Sequence, residues 1–341
     1  MIDLLIAYAF FLLKVVTVLI AVLIPILIIA NSSRHKKEAD KGRIVVKNLS
    51  EKLEEIGVSL KSAEMDPKAY KAFLKERSKK RKKEVKNKPK EIVYVLEFKG
   101  DMQASGVDKL KQEINAIIFS QVKCKEVVLK VESGGGSAYA YGLCAAELKR
   151  LVDNKIKLTV CIDKVAASGG YLMSCVATKI VAAPWAVVGS IGVIAQLPNF
   201  HKFLKKQSID IEMHTAGKFK RTLTTLGKNT KEGREKFISE LEDLHLVFKD
   251  FVKENRSKIN VAKVSTGEVW QGEKAVKLGL IDEIGTTDDY LLKLSNKFKL
   301  LEINYLEKKP FAARIAVATE TIVEKGIYKF LDILNKDRFI T

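Results

Sequence analysis

The chain has 341 residues, of which 47% are apolar and 30% charged; this excludes an intrinsically disordered protein and allows one large domain or two modest ones. Its formal charge of +19 is unevenly placed, because residues 34–91 hold 20 Lys and Arg against 10 Asp and Glu. The four cysteines show no CxxC pair and no metal-type spacing, so we expect buried thiols and no metal site.

The chain begins with a long apolar run. Residues 4–30 are apolar apart from Lys14, and about 20 apolar residues suffice to span a bilayer. A cleaved signal peptide fits badly because no basic residue precedes the run, and a buried core helix is the remaining alternative. The sequence therefore predicts a transmembrane anchor over residues 1–31. Arg34, Lys36 and Lys37 follow it, and the positive-inside rule would keep the downstream chain in the cytoplasm.

A basic spacer is predicted over residues 32–91. Helical patterns at 44–56 and 67–77 lead into the run from Lys79 to Lys83, where we expect the helix to break. Such a run is typical of a lipid-facing segment, a nucleic-acid-binding segment or a solvated spacer. No aromatic residues interleave with the lysines, so we expect no nucleic acid as a partner.

From residue 92 onward, β-rich runs alternate with helical ones, which predicts an α/β domain with helices packed on parallel strands. The last predicted helix follows Asn229-Thr230, two residue types that favour helix N-caps. Strands are predicted at 92–98, 126–132, 157–162, 178–183, 187–194 and 209–214, and helices at 107–119, 138–152 and 231–260.

Two glycine-rich loops follow predicted strands, at 132–137 and 167–170. Consecutive glycines let backbone N–H groups converge on one ligand atom, but the Gly-Lys-Ser/Thr of a phosphate-binding loop is missing. Ser168 in the second loop is a candidate nucleophile. The chain has only four histidines, none in a setting typical of catalysis, so a lysine is the expected base.

An ordered set of motifs resembles the signal peptide peptidase A family, most closely its single-membrane-helix SohB branch. The motifs are Ser133-Gly-Gly-Gly136, Asp163-Lys-Val-Ala-Ala-Ser-Gly-Gly-Tyr171, Gly189-Ser-Ile-Gly192, Gly217-Lys-Phe-Lys220-Arg and Trp270-Gln-Gly with Gly279-Leu-Ile-Asp-Glu-Ile-Gly285. The resemblance implies a ClpP/crotonase-like spiral fold over residues 92–305. It also implies a serine peptidase with a Ser–Lys dyad and no cofactor. The amphipathic pattern of residues 315–334 predicts a helical tail over 306–341.

The resemblance assigns roles to individual residues. Ser168 corresponds to the nucleophile, Lys220 to the general base and Ser190 to the serine that orients the lysine. Gly136 and Gly169 correspond to the backbone donors of the oxyanion hole. A lysine that acts as a base must lose its proton, so we expect Lys220 in a water-poor site. The chain departs from the family at position 134, where Gly134 replaces the usual proline.

The resemblance further implies peptide substrates, such as signal-peptide remnants, and assembly into homo-oligomers. It places the protein in the bacterial inner membrane, bound to lipid through the N-terminal helix, with the catalytic domain on the exported side, against the positive-inside rule. Two alternatives remain open: a crotonase-like enzyme acting on acyl-coenzyme A, and a catalytically silent membrane scaffold of the same fold.

Overall fold

The computed structural model describes residues 8, 11–17, 19, 42–86 and 91–307. Residues Ile44–Tyr305 form one compact unit, and Met1–Arg43 with Leu306–Thr341 form another. Within the described ranges, no helix is both long enough and apolar enough to cross a membrane. Most of the predicted anchor at 4–30 and nearly all of the predicted tail at 306–341 lie outside those ranges.

The larger unit alternates strands and helices, as the sequence predicts. The strands are β1 (Arg43–Asn48), β2 (Ile92–Lys99), β3 (Cys124–Glu132), β4 (Leu158–Ile162), β5 (Val165–Ala167), β6 (Lys179–Ala182), β7 (Val187–Gly189), β8 (Val269–Gln271), β9 (Glu283–Ile284) and β10 (Lys299–Leu306). The helices are α1 (Leu49–Glu64), α2 (Pro67–Lys86), α3 (Val107–Phe119), α4 (Ala138–Asp153), α5 (Gly169–Ser174), α6 (His201–Lys206), α7 (Lys231–Asn255), α8 (Val261–Val264), α9 (Gly272–Lys277) and α10 (Thr287–Ser295).

Two sheets organise this α/β unit. The larger has seven strands in the order β1-β10-β2-β3-β4-β6-β9, and the smaller has three in the order β5-β7-β8. The pairs β10–β2, β2–β3, β3–β4, β4–β6 and β6–β9 are parallel. Parallel strands need crossover connections, and the carboxyl ends of such strands meet at one edge of the sheet. The glycine-rich loop after β3 therefore emerges at that edge.

The sheet is buried on both faces because its central strands are rich in Val, Ile and Leu. Leu96 and Leu129 on one face belong to the main core together with Leu110 and Ile114 of α3. The opposite face carries a smaller cluster that includes Val93, Val95, Val128, Tyr290 and Leu291. Burying each Leu or Ile side chain stabilises the fold by about 1.5–3 kcal/mol, so this sheet is a rigid base for the loops at its edge.

Most of the predicted elements are confirmed. Helix α3 has the predicted bounds, α4 ends one residue later than predicted, and the first four predicted strands are present. The Thr230 side chain caps α7 by accepting a hydrogen bond from the Gly233 N–H at 3.0 Å.

Other boundaries were wrong. No strand forms at 209–214, the strand predicted at 187–194 ends at Gly189, and α7 ends at Asn255. The helix predicted at 44–56 is preceded by strand β1, which occupies its first residues. Helix α2 continues through Lys79–Lys83 instead of breaking there, because lysine and arginine are good helix formers.

Candidate active site

Ser168 lies at the turn between β5 and α5. Its backbone has φ +51° and ψ −120°, a conformation that is strained for a residue with a side chain. Two backbone hydrogen bonds hold it: the Ser168 N–H donates to Gly189 O at 2.8 Å, and Ser168 O accepts from Leu172 N at 2.9 Å. A sharp strand-to-helix turn of this kind projects a serine hydroxyl at the end of a sheet, although the G-x-S-x-G sequence is missing.

Ser190 lies beside Ser168. Strands β5 and β7 are parallel, with Ala167 paired to Gly189, so the next residue on each strand is a serine. Ser190 also has a positive φ, +52°, and its N–H donates to Glu268 O at 2.6 Å. Neighbouring strands are about 4.8 Å apart, so the two serines follow the strands at adjacent positions.

The glycine loop after β3 is tied to the Ser168 turn by its first residue. Ser133 donates its N–H to Val165 O at 2.9 Å and accepts at its carbonyl from Ala167 N at 3.0 Å. Its side-chain oxygen lies 2.5 Å from the Tyr141 hydroxyl, which donates to Asp101 O at 2.8 Å. Burial raises the pKa of Tyr141, so this hydroxyl stays protonated and available as a donor.

Gly135 approaches the Ser168 turn closely. Its φ is +89°, and a Cβ atom at this position would lie 2.6 Å from the Gly169 backbone nitrogen and 2.8 Å from Ser168 Cβ. A side chain here would therefore clash with the N–H that heads α5. The sequence prediction singled out Gly136 and Gly169 and missed Gly135, although the run of three glycines after Ser133 was a signal for it.

The other glycines of the two loops have different surroundings. A Cβ on Gly136 would clash with the Met102 backbone, and one on Gly169 would clash with the Tyr141 ring. Gly134 is exposed, its φ is not positive, and a Cβ there would meet nothing within 4 Å. A small side chain at position 134 would therefore lie in open space.

Lys220 lies in the long loop between α6 and α7 and is exposed in the chain alone, unlike the water-poor position expected for it. The backbone N–H of Lys220 donates a hydrogen bond to Gly217 O at 3.2 Å. Among the described residues, none forms a hydrogen bond or ion pair with its ammonium group. The adjacent Lys218 pairs instead with Glu232 of α7 at 2.7 Å, which holds this part of the loop against the start of α7.

The cysteines and histidines of the described ranges offer no competing nucleophile or base. Burial raises the pKa of Cys144, Cys161 and Cys175 to about 12, so these thiols stay protonated, as the sequence predicts for buried cysteines. Within the part of the chain that the structure describes, no histidine hydrogen-bonds to Ser168, and no group of His, Cys, Asp and Glu could hold a metal ion.

A small, open cavity lies at the carboxyl ends of β2, β3 and β4. Charged residues of both signs line it, among them Lys99, Lys130, Glu132 and Asp163. Its walls include none of Ser168, Ser190 and Lys220. The serine pair therefore lies outside this cavity.

An α/β fold that presents a half-buried serine on a strained turn, beside the first N–H groups of a helix, is typical of hydrolases. Sequence comparison gives the family: the chain belongs to peptidase family S49. Residues 150–301 match Peptidase family S49, and residues 3–148 match its N-terminal region. The family expected from the motifs is thereby confirmed.

Similar proteins cover nearly the whole chain. The probable protease SohB of Haemophilus influenzae is 41% identical over 348 residues, which cover 98% of this chain and 98% of that protein. The probable protease SohB of Buchnera aphidicola subsp. Schlechtendalia chinensis is 45% identical over 85% of this chain and 99% of its own. A solved structure of a variant 1510-N membrane-bound stomatin-specific protease aligns over 60% of this chain and 85% of its own, with 17% identity and a TM-score of 0.42.

Proposed function

We propose that this S49 peptidase is a serine endopeptidase with Ser168 as its nucleophile and Lys220 as its general base. The observation that carries the proposal is the position of Ser168 and Ser190 immediately after two paired strand residues, together with the close approach of Gly135 to the Gly169 N–H. Two serines and the first backbone N–H groups of α5 thus follow neighbouring strand ends, which supports the proposal. Those are the groups that acyl transfer requires.

The reaction starts when Ser168 Oγ attacks the carbonyl carbon of the scissile peptide bond and its proton passes to the Lys220 amine. The oxyanion accepts hydrogen bonds from the N–H groups of Gly136 and Gly169. The tetrahedral intermediate then collapses, the C–N bond breaks, and the Lys220 ammonium protonates the leaving amine. Water hydrolyses the Ser168 ester by the same steps, with Lys220 again taking and returning a proton.

In this mechanism Lys220 has to move from an exposed loop into contact with Ser168 and Ser190. Burial of a lysine disfavours its charged form and so favours the free amine. Substrate bound over the serine pair, or a second copy of the chain over the loop, would exclude water from Lys220. The proposal therefore expects the dyad to form on binding or assembly.

Active-site labelling tests the nucleophile. The detergent-solubilised full chain is treated with a fluorophosphonate probe, and hydrolysis of a denatured protein substrate is measured in parallel. Wild type should be labelled and active, whereas Ser168→Ala should lose both properties while its thermal unfolding is unchanged. Ser208→Ala is the matched control, because Ser208 is an exposed serine that also has a positive φ, +58°.

The outcome separates the proposal from its two alternatives. An acyl-coenzyme A enzyme would turn over thioesters and leave the protein substrate intact, and a silent scaffold would do neither. Labelling that persists in Ser168→Ala, with hydrolysis at the wild-type rate, would show that another residue is the nucleophile.

The same proposal extends to the membrane. It takes residues 4–30 as the anchor, peptide remnants at the membrane as the substrates and the exported side of the inner membrane as the site of the catalytic domain. Tethering raises the effective concentration of substrates that share the membrane. Phosphatase and fluorescent-protein reporters fused after Thr341 test the orientation. Phosphatase activity supports the exported side, and fluorescence without phosphatase activity contradicts it.

The proposal also includes a ClpP/crotonase-like spiral architecture and assembly of the chain into a homo-oligomer. The segment 194–226, which includes α6 and part of the loop that carries Lys220, exposes large apolar side chains that a second copy would cover. They are Ile194, Leu197, Phe200, Phe203, Ile209, Ile211, Met213, Phe219 and Leu226. Light scattering of the solubilised chain, corrected for detergent, should give several subunits, and Phe203→Glu should reduce that number. A monomeric wild type would contradict this part of the proposal.

A further inference from the structure

Helix α2 carries a large positive charge that the proposed peptidase chemistry does not use. Its 20 residues, Pro67–Lys86, include ten Lys and Arg against two Glu. The Asp66 side chain caps the helix by accepting from Lys68 N and Ala69 N, each at 2.9 Å. The basic run from Lys79 to Lys83 continues this helix. The helical geometry therefore determines on which side of α2 each basic residue lies.

Two contacts show which side of α2 faces α1. Arg77 pairs with Glu54 of α1 at 3.2 Å, and Lys61 of α1 lies 5.3 Å from the centre of the Phe73 ring. Arg77 and Phe73 are both half-buried, as is Tyr70 one turn before Phe73. These three residues recur at spacings of three and four and therefore share one side of the helix.

Lysines occupy the opposite side of α2. At about 100° per residue, Lys75 lies about 160° around the helix from Arg77. The stripe continues along the helix at spacings of three, four and one: Lys68, Lys71, Lys75, Lys79, Lys82, Lys83 and Lys86. The first four of these lysines are exposed. Lys86 follows Lys68 by about five turns, so the lysine stripe is about 27 Å long.

We propose that the lysine stripe of α2 binds anionic lipid headgroups and lays this helix along a membrane surface. A straight row of cations matches a plane of anionic headgroups, and each lysine that reaches such a surface strengthens binding about fivefold. Glu84 lies about 100° around the helix from Lys83, whereas Glu76 borders the stripe, so the row carries seven lysines against one bordering glutamate.

The composition of the stripe favours lipid over nucleic acid. Nucleic-acid binders combine positive charge with aromatic rings that stack on bases and with arginines that read base edges. The two aromatic residues of α2, Tyr70 and Phe73, are half-buried on the side that faces α1. Arg77 pairs with Glu54 on that same side. The stripe itself consists only of lysine, which offers charge without a fixed geometry.

Lysine acylation in nanodiscs tests the proposal on the full chain. The protein is reconstituted either with phosphatidylcholine alone or with added phosphatidylglycerol, treated with sulfo-NHS-acetate and analysed by mass spectrometry. Acylation of Lys68, Lys71, Lys75 and Lys79 should be at least about fivefold slower in the anionic discs, and about 1 M salt should abolish the difference. Equal rates in both kinds of disc would overturn the proposal.

Two triple variants sharpen this test. Lys71→Gln/Lys75→Gln/Lys79→Gln should remove the protection of Lys68 in anionic discs. The matched control, Lys263→Gln/Lys277→Gln/Lys297→Gln, neutralises three exposed lysines elsewhere and should keep it. Fluorophosphonate labelling and circular dichroism should be unchanged in both variants. If wild type binds labelled single-stranded or duplex DNA through the stripe while its lysines show no protection by anionic lipid, the partner is nucleic acid and the proposal is wrong.

Discussion

Ser168 and Ser190 follow equivalent positions of two paired parallel strands, and both have a positive φ, +51° and +52°. The Ser168 N–H donates to the carbonyl of Gly189, the residue just before Ser190. The register of β5 against β7 therefore places the backbones of both serines at neighbouring strand ends. Among the described contacts, no hydrogen bond joins their side chains.

We predict that Ser190→Ala lowers kcat by about 10–100-fold with little change in KM, because the hydroxyl orients the lysine and does not bind substrate. The fluorophosphonate should still label Ser168, more slowly than in wild type. Peptide hydrolysis under steady-state conditions measures the effect. Ser208→Ala makes the same change at another serine of positive φ and should leave kcat unaltered. A wild-type kcat in Ser190→Ala would remove this serine from the mechanism.

A second prediction compares two adjacent glycines. Gly135→Ala places a methyl group against the Gly169 N–H and adds strain at a φ of +89°, so kcat should fall by about 10²–10³-fold. Gly134→Ala adds the same methyl group in open space and should keep wild-type activity. The ratio of the two kcat/KM values is the measurement. Similar values would show that the close approach of Gly135 to the Ser168 turn does not matter for catalysis.

The sequence predicts the parts of this fold that depend on local patterns. The apolar spacing of α3 and the Thr230 cap of α7 are local, and both were predicted correctly. Strand β10 is different, since its position between β1 and β2 depends on pairing with segments far away in the chain. The run at 209–214 alternates apolar and polar residues, yet it forms no strand. Alternation favours a strand only where a partner strand is available, and within the described chain none pairs with this run.

The candidate site likewise has features that the sequence indicates and features that only the structure reveals. The family resemblance selected Ser168, Ser190 and Lys220 as candidates, and the strand register brings the two serines to neighbouring strand ends. The role of Gly135 depends on which of three successive glycines faces the turn, and only the backbone path determines that. The exposure of Lys220 depends on whether a substrate or a second copy of the chain packs on its long loop. Local sequence patterns do not reveal such contacts.

A third prediction concerns the lysine. Lys220→Arg keeps the positive charge but cannot release a proton near neutral pH, so hydrolysis should fall at least about 10³-fold while the protein still folds. Lys218→Arg is the matched control two residues earlier in the loop, and it should retain activity because its exposed ion pair with Glu232 tolerates either cation. Peptide hydrolysis and thermal unfolding of both variants measure this. Activity in Lys220→Arg near that of wild type would contradict the role of Lys220 as the base.

The last prediction concerns Glu113, a glutamate buried on α3. One of its carboxylate oxygens accepts from Tyr305 N at 2.9 Å, and the other is buried without a partner in the described chain. Burial raises the pKa of Glu113 to about 7, and neither Lys109 at 3.8 Å nor the Tyr305 N–H compensates for the lost hydration; Glu302 raises it further. Glu113 is therefore protonated in the folded chain at pH values where the unfolded chain has already lost this proton.

The free energy of unfolding should accordingly fall as the pH rises from about 4.5 to 7, by about 2–3 kcal/mol from this one group, and the loss should be complete above about pH 7. Glu113→Gln cannot ionise, so it should be about as stable as wild type near pH 4.5 and about 2 kcal/mol more stable at pH 8. Denaturant unfolding at several pH values measures the difference, with the exposed Glu242→Gln on α7 as the control that should follow the wild-type curve. Parallel pH profiles for wild type and Glu113→Gln would show that this carboxyl group titrates normally in the folded chain.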